Sequence, residues 1–140
     1  MSNSPSTGGC LCGQVRYQLT AEPLYQLTCV CTQCQALAGG FGQGSWVVPK
    51  DALSFESGED GLKDFTMPGS EKGVVRRFCI HCGTHVVAFG PAHPVVAVLV
   101  GTLDPPAQFS PQIVIWAKSK RPHHVFPPGI PEFPEYPPSP

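Results

Sequence analysis

Charge is scarce in this sequence. Only 14% of its 140 residues are Asp, Glu, Lys or Arg, and the formal net charge is −1. Such a surface offers no basic field for a nucleic-acid backbone and no polybasic patch for a membrane, so no nucleic-acid or membrane partner is expected. Long apolar runs are missing as well, none approaching the roughly 18 residues a membrane-spanning helix needs. The opening MSNSPSTGG lacks the basic start and apolar stretch of an export signal. A soluble cytoplasmic protein acting on small molecules or proteins is the expectation. Ser-His-Asp order, a phosphate-cradling glycine loop and a nucleotide fingerprint are all absent, which sets aside serine-hydrolase and nucleotide chemistry. Helical periodicity is almost missing too: only Gln33 to Ala38 reads as a helix, for barely more than a turn.

Short strands cut by turns fill most of the chain. Val15, Tyr17 and Leu19 alternate with Arg16 and Gln18, the period of a half-buried strand. Similar runs are Leu24 to Cys31, Gly44 to Val48, Leu53 to Glu56, Leu62 to Phe65, Val74 to Phe78 and Thr84 to Phe89. Gln112 to Trp116 is a further candidate, and Val95 to Val100, apolar throughout, reads as a central strand covered on both faces. The pattern predicts a mainly β fold of about eight to ten strands in one domain, residues 1–121. Residues 122–140 differ in kind, because eight of these nineteen are proline. They read as an extended, polyproline-like arm, with Phe126, Ile130, Phe133 and Tyr136 packing on the domain or on a partner subunit. The second option leaves a homodimer open.

The chain is rich in cysteine, with seven. Their odd number, the missing export signal and the tight spacing argue for metal ligands over a disulfide scaffold. They fall into three groups: Cys10 and Cys12; Cys29, Cys31 and Cys34; Cys79 and Cys82. Two residues apart on a strand, Cys10 and Cys12 would present both sulfurs to one side. Cys79-Ile80-His81-Cys82-Gly83 has knuckle spacing, and Gly83 permits the tight backbone turn that follows. Together the two pairs supply four thiolates for a closed, structural zinc. Cys29 and Cys31 on one strand face, with Cys34 brought round by a turn, leave a three-thiolate set with a vacant fourth position, the pattern of a reactive zinc. A redox or disulfide-prone cluster, or a second structural zinc completed by a histidine, are the other readings of that triplet. His85 reads as a β-surface residue, and His81 as pointing away from the metal. His123 and His124, near Lys118, Lys120 and Arg121, are either a solvated surface or a group folded over the open site. Thr32, Gln33 and Gln43 are candidate donors around it, and Trp46 a candidate wall.

At these residues the chain resembles the glutathione-dependent formaldehyde-activating family, which shares its domain with centromere protein V. The matching pieces are Gly9-Cys10-Leu11-Cys12-Gly13-Gln14-Val15-Arg16-Tyr17, the Cys29, Cys31, Cys34 triplet, and Phe78-Cys79-Ile80-His81-Cys82-Gly83. Gly101-Thr102-Leu103-Asp104, Ile115-Trp116 and Gly129-Ile130-Pro131-Glu132-Phe133 follow in the same order. The resemblance implies an Mss4-like β-tent of short antiparallel strands, with Cys10, Cys12, Cys79 and Cys82 on a structural zinc. It also implies Cys29, Cys31 and Cys34 on a catalytic zinc, in a carbon–sulfur lyase joining glutathione and formaldehyde as S-hydroxymethylglutathione. Members commonly carry histidine where this chain has Val30, and arginine, a cation expected beside the site, where it has Gln35. Two other classes of function fit the same residues: a non-catalytic zinc-binding interaction module, and a thiol carrier or redox sensor.

Overall fold

The computed structural model describes residues 5–138. The expectations for residues 1–4 and 139–140 lie outside the described residues. Ten strands carry the fold: β1 (Ser6–Gly9), β2 (Arg16–Leu19), β3 (Tyr25–Cys29), β4 (Gln43–Pro49), β5 (Leu53–Ser57), β6 (Leu62–Phe65), β7 (Val75–Cys79), β8 (His85–Phe89), β9 (Val95–Leu99) and β10 (Ile113–Ile115). One α-helix, α1 (Thr32–Leu37), stands where the short helical signal predicted it, one residue earlier at each end. The mainly β expectation holds, and β1 is a strand that the sequence reading missed. It reads STGG, with no apolar alternation to reveal it. No helix among the described residues is long and apolar enough to cross a membrane.

The chain forms two compact units. One comprises the residues up to Leu24 together with Trp46–Gln108, the other Tyr25–Ser45 together with Phe109 onward. In the first, β1, β2 and β5 form a three-stranded antiparallel sheet with Gly8 opposite Tyr17 and Leu19 opposite Leu53. The alternation of Val15, Tyr17 and Leu19 does what it predicts, since all three are buried. Tyr17 meets the Thr102 hydroxyl at 2.7 Å, so its one polar atom is satisfied in the core. A Cβ at Gly8 would strike the Tyr17 hydroxyl and the Thr102 carbonyl, which is why this position of β1 carries no side chain. The end of β4, then β9, β8, β7 and β6 in that order, make the other sheet of this unit. Val96, Val98 and Leu99 of β9 are buried, but Val95 and Ala97 are only partly covered. The run Val95 to Val100 is therefore less evenly enclosed than its unbroken apolar character predicts.

Asp104 locks this first unit. Its carboxylate takes Arg16 and the Thr7 hydroxyl, the latter at 2.7 Å, and its N–H bonds the Thr7 carbonyl. These partners, Arg16 foremost, hold the Asp104 carboxyl below its ordinary value. A carboxyl with a depressed folded-state pKa stabilises fully above its unfolded value of about 4 and loses that contribution as pH falls through the folded value. Asp104→Asn should therefore lower stability by roughly 0.5–1 kcal/mol at neutral pH, the small figure reflecting solvent screening at a partly exposed pair. Urea denaturation at a series of pH values checks this: the gap between wild type and variant should close toward acid. A gap independent of pH would count against the ion pair as its cause.

In the second unit β3 lies between β10 and the start of β4. β10 runs parallel to β3, with Leu27 opposite Ile113 and Cys29 opposite Ile115. This pair differs from the short antiparallel strands expected, which the pairings of β1 with β2 and of β2 with β5 follow. A long excursion through the first unit separates the two strands in sequence, and no short turn dictates their relative direction. Proline carbonyls accept although proline cannot donate. Val114 N–H bonds Pro131 O at 2.9 Å, Lys118 N–H bonds Pro134 O at 3.3 Å, and Phe133 N–H returns to Val114 O at 2.8 Å. The uniformly extended segment expected beyond residue 121 is broken by turns at Pro122–His123 and Pro128–Gly129.

Candidate metal centres

The Sγ atoms of Cys10, Cys12, Cys79 and Cys82 all lie within 4.8 Å of one another, inside the first unit. Cys10 and Cys12 are 3.5 Å apart at sulfur, and Cys12 and Cys79 3.9 Å. Four sulfurs at about 2.3 Å around a tetrahedral zinc are separated by about 3.8 Å, so the spacing fits that ion. Cys10 and Cys12 do not share a strand face as their spacing predicts. β1 ends at Gly9, and the pair sits in the turn that follows, where Gly13 N–H bonds Cys10 O at 3.1 Å and Gly13 has φ 82°. The Cys79 turn repeats this design: Gly83 N–H bonds Cys79 O at 2.8 Å and Gly83 has φ 76°. A side chain resists that backbone region, so each pair is followed by glycine. The thiols also receive hydrogen bonds, from Val15 N–H to Cys10 at 3.3 Å and from His81 N–H to Cys79 at 3.4 Å. Thr84, which the sequence marks only as the start of a strand, places its hydroxyl 3.1 Å from Cys82 Sγ and accepts from Leu11 N–H. That contact helps pull the Cys82 thiol down to about 5, toward the thiolate a metal needs. His81 serves through its backbone, and His85 stacks on Phe78 outside the group of four.

The second group belongs to the other unit. Cys29, Cys31 and Cys34 bring their sulfurs within 4.8 Å of one another. Here again the expected shared strand face is replaced by a turn, for β3 ends at Cys29 and Cys31 is the N-cap of α1. Its sulfur accepts from Cys34 N–H at 3.3 Å, which draws the helical third ligand back toward the first two. Gly42, with φ 89°, passes so close to the Cys29 carbonyl that a Cβ would collide with it. The thiols do not ionise independently. Hydrogen bonds from Cys29 and Cys34, helped by the backbone N–H groups of Cys34 and Gln33, hold Cys31 far down, while Cys31, Cys34 and burial push Cys29 far up. The first ionisation is favoured and the remaining ones opposed. A bound cation removes that opposition, so this donor set fits a soft divalent metal such as zinc, with three protein ligands.

Other sequence expectations resolve differently. Val30 is wholly buried, and Gln35, 3% exposed, donates Nε2 to Val30 O at 2.7 Å and Ser119 O at 2.9 Å. Position 35 is thus a bracket between backbone segments. His123 and His124 both place Nε2 at 2.9 Å from Gly40 O, in the loop after α1, and join no metal group. Of the candidate donors, Gln33 contributes through its N–H. Trp46 gives its indole N–H to Gln108 O at 3.0 Å within the first unit. Two residues carry more than their sequence signals foretold. Trp116, next after the partner of Cys29, holds φ 61°, a left-handed conformation costing a non-glycine residue about 1–2 kcal/mol. Tyr136 packs edge-on to it at 5.6 Å, and burial first, with the charges of the three thiols adding to it, raises its phenol above the ordinary value. Two open clefts, of about 360 and 390 Å³ and with Arg77 in both, have no cysteine in their walls.

The likeness to other proteins follows the same residues. The sequence pattern of the glutathione-dependent formaldehyde-activating enzyme matches residues 5–119, a span that holds both cysteine groups. No curated protein matches the chain. A Rhodobacter sphaeroides protein of known crystal structure is similar in fold, with a TM-score of 0.59 and 19% identity over 72% of this chain and 90% of that one. With two cysteine groups that each could hold a metal ion, and a match across most of its length, the chain belongs to the glutathione-dependent formaldehyde-activating enzyme family.

Proposed function

We propose that the protein is a zinc-dependent carbon–sulfur lyase acting on the adduct of a small thiol with a small aldehyde. By family membership that pair is glutathione and formaldehyde, and the product S-hydroxymethylglutathione. The observation that carries this reading is the difference between the groups: four sulfurs complete one set, while three make up the other. Zinc at the three-cysteine group supplies a position where a substrate thiol is held as its thiolate. The chain does the rest. Cys29, Cys31 and Cys34 are the ligands, α1 and the Gly42 approach fix their positions, and Gln35 ties the start of that helix to the segment at Ser119. The substrate sulfur then forms its bond to the carbonyl carbon, and the carbonyl oxygen gains a proton from water. In the reverse direction the hydroxyl loses its proton and the carbon–sulfur bond breaks. In this reading the group at Cys10, Cys12, Cys79 and Cys82 is a structural zinc, and residues 122–140 are the arm that completes the domain of residues 1–121. The hydrogen bonds of Pro131, Phe133 and Pro134 support that assignment of the arm. The cytoplasm is the compartment where such a thiol is plentiful and cysteines stay reduced.

Thiols add to formaldehyde unaided, so end points cannot test the activity. The test is the exchange rate between free and thiol-bound formaldehyde at equilibrium, read by NMR exchange spectroscopy. The zinc-loaded protein should raise that rate in both directions without moving the balance. An end point that shifts in proportion to protein, with an unchanged rate, would make it a thiol carrier instead.

A further inference from the structure

His123 and His124 lie in the proline-rich arm, yet both rings give their Nε2–H to the carbonyl of Gly40 at 2.9 Å. A carbonyl only accepts, so both Nε2 atoms carry the hydrogen. For His124 the other ring nitrogen is engaged as well, because Nδ1 accepts from Arg121 N–H at 2.9 Å. Its ring is buried and lies 4.2 Å from that of His123, so its orientation is fixed. Gly40 belongs to residues 38–42, the link between α1 and β4, in which Gly39, Gly40 and Gly42 all have positive φ. Backbone so rich in glycine holds no shape of its own, and its restraint must come from its neighbours. Both ends of this link reach the three-cysteine group. Ala38 N–H bonds Cys34 O at 3.1 Å, Gly40 N–H bonds Gln35 O at 2.7 Å, and Gly42 lies against the Cys29 carbonyl. The link therefore runs from the third cysteine back to the first. The segment that carries the histidines is tied to α1 at a second point, where Gln35 Nε2 reaches Ser119 O at 2.9 Å.

We propose that His123 and His124 are positioning residues for the three-cysteine group, pinning through Gly40 O the loop that fixes Cys34 relative to Cys29. This rests on the reading of that group as a zinc site. A metal held by three thiolates is released when one of them swings away, and Cys34 is carried on a helix of only six residues. So short a helix does not hold itself in water. Its end is held by the loop, and the loop by the two imidazoles. The histidines supply no ligand to the group; they set how long its three sulfurs stay together.

The experiment compares the full wild-type chain with two double variants. His123→Phe with His124→Phe keeps the packing of the rings and removes both donors, whereas His123→Gln with His124→Gln gives up the rings and keeps an N–H for Gly40 O. Zinc content is measured first, and release of zinc to a chromogenic chelator is then followed in time. In the wild type two phases are expected, and Cys31→Ser identifies the one that belongs to the three-cysteine group. The phenylalanine pair should speed that phase about tenfold and leave the other unchanged, and the glutamine pair should restore it to within about threefold of wild type. Packing alone predicts the reverse order, because phenylalanine fills the place of a ring better than glutamine. His123→Phe alone, at an exposed position, should give about threefold and serves if the buried position rejects phenylalanine. Release unchanged in the phenylalanine variants overturns the proposal, as does a glutamine pair that loses zinc faster than the phenylalanine pair, or an equal acceleration of both phases. A wild type holding one zinc refutes the metal reading instead. Hydrogen exchange at the Gly40 amide, expected to be about tenfold faster in the phenylalanine pair, then still decides whether the histidines hold the loop.

Discussion

Replacing Cys79 or Cys10 with serine should unfold the chain. Cys79 is fully buried, and its group joins the turn after β1 to the end of β7, two places that nothing nearby in sequence connects. Structural zinc sites contribute about 10–16 kcal/mol of apparent binding free energy, as large as the whole stability of a typical domain. A serine oxygen is a harder and poorer donor to zinc than a thiolate, so losing one ligand of four removes much of that energy. What remains is short strands and a modest core. The expected result is loss of the cooperative thermal transition in circular dichroism at 25 °C, with fewer than two zinc ions per chain by elemental analysis. Slow removal of zinc by a chelator should give the same spectrum. A variant melting within a few degrees of wild type would show that the four cysteines do not hold a structural metal.

Cys31→Ser should give the opposite outcome: a folded protein without activity. The position explains why. Cys31 caps α1, its sulfur accepting from Cys34 N–H, and serine is among the preferred residues for that task. The substitution keeps the helix start while removing a soft ligand from a set of three. We expect the melting temperature to change by no more than about 5 °C, consistent with a loss of roughly 1 kcal/mol or less. The metal count should fall from two to one, and exchange should return to the rate of buffer. Unfolding to the same degree as Cys79→Ser would mean that both groups are structural, which removes the basis for a reactive site.

Much of this was legible in the sequence because it depends on local order. The alternation around Tyr17 predicted β2, the knuckle at Cys79 predicted its glycine turn, and the grouping of the cysteines into four and three follows from their spacing. At both cysteine groups a strand assignment of neighbouring positions gives way to turns. Cys10 and Cys12, like Cys29 and Cys31, converge through turns in which N–H groups point at sulfur, and a period-two argument reached the right pairs by the wrong geometry. The amide of Gln35 is buried between Val30 and Ser119, a role that composition does not reveal because it does not tell which way a helical side chain faces.

The sequence by itself determined the donor chemistry. Seven thiols in three tight groups on a chain with little charge specify soft metal sites, since the residue types and their short spacings are fixed covalently. Only the tertiary structure decided what surrounds each site. Ile115 lies more than eighty residues from Cys29 in sequence, and its place beside that cysteine depends on the parallel pairing of β10 with β3. Such a neighbour is set by long-range backbone hydrogen bonds, whose partners no local pattern names, and so it becomes visible only once the chain has folded.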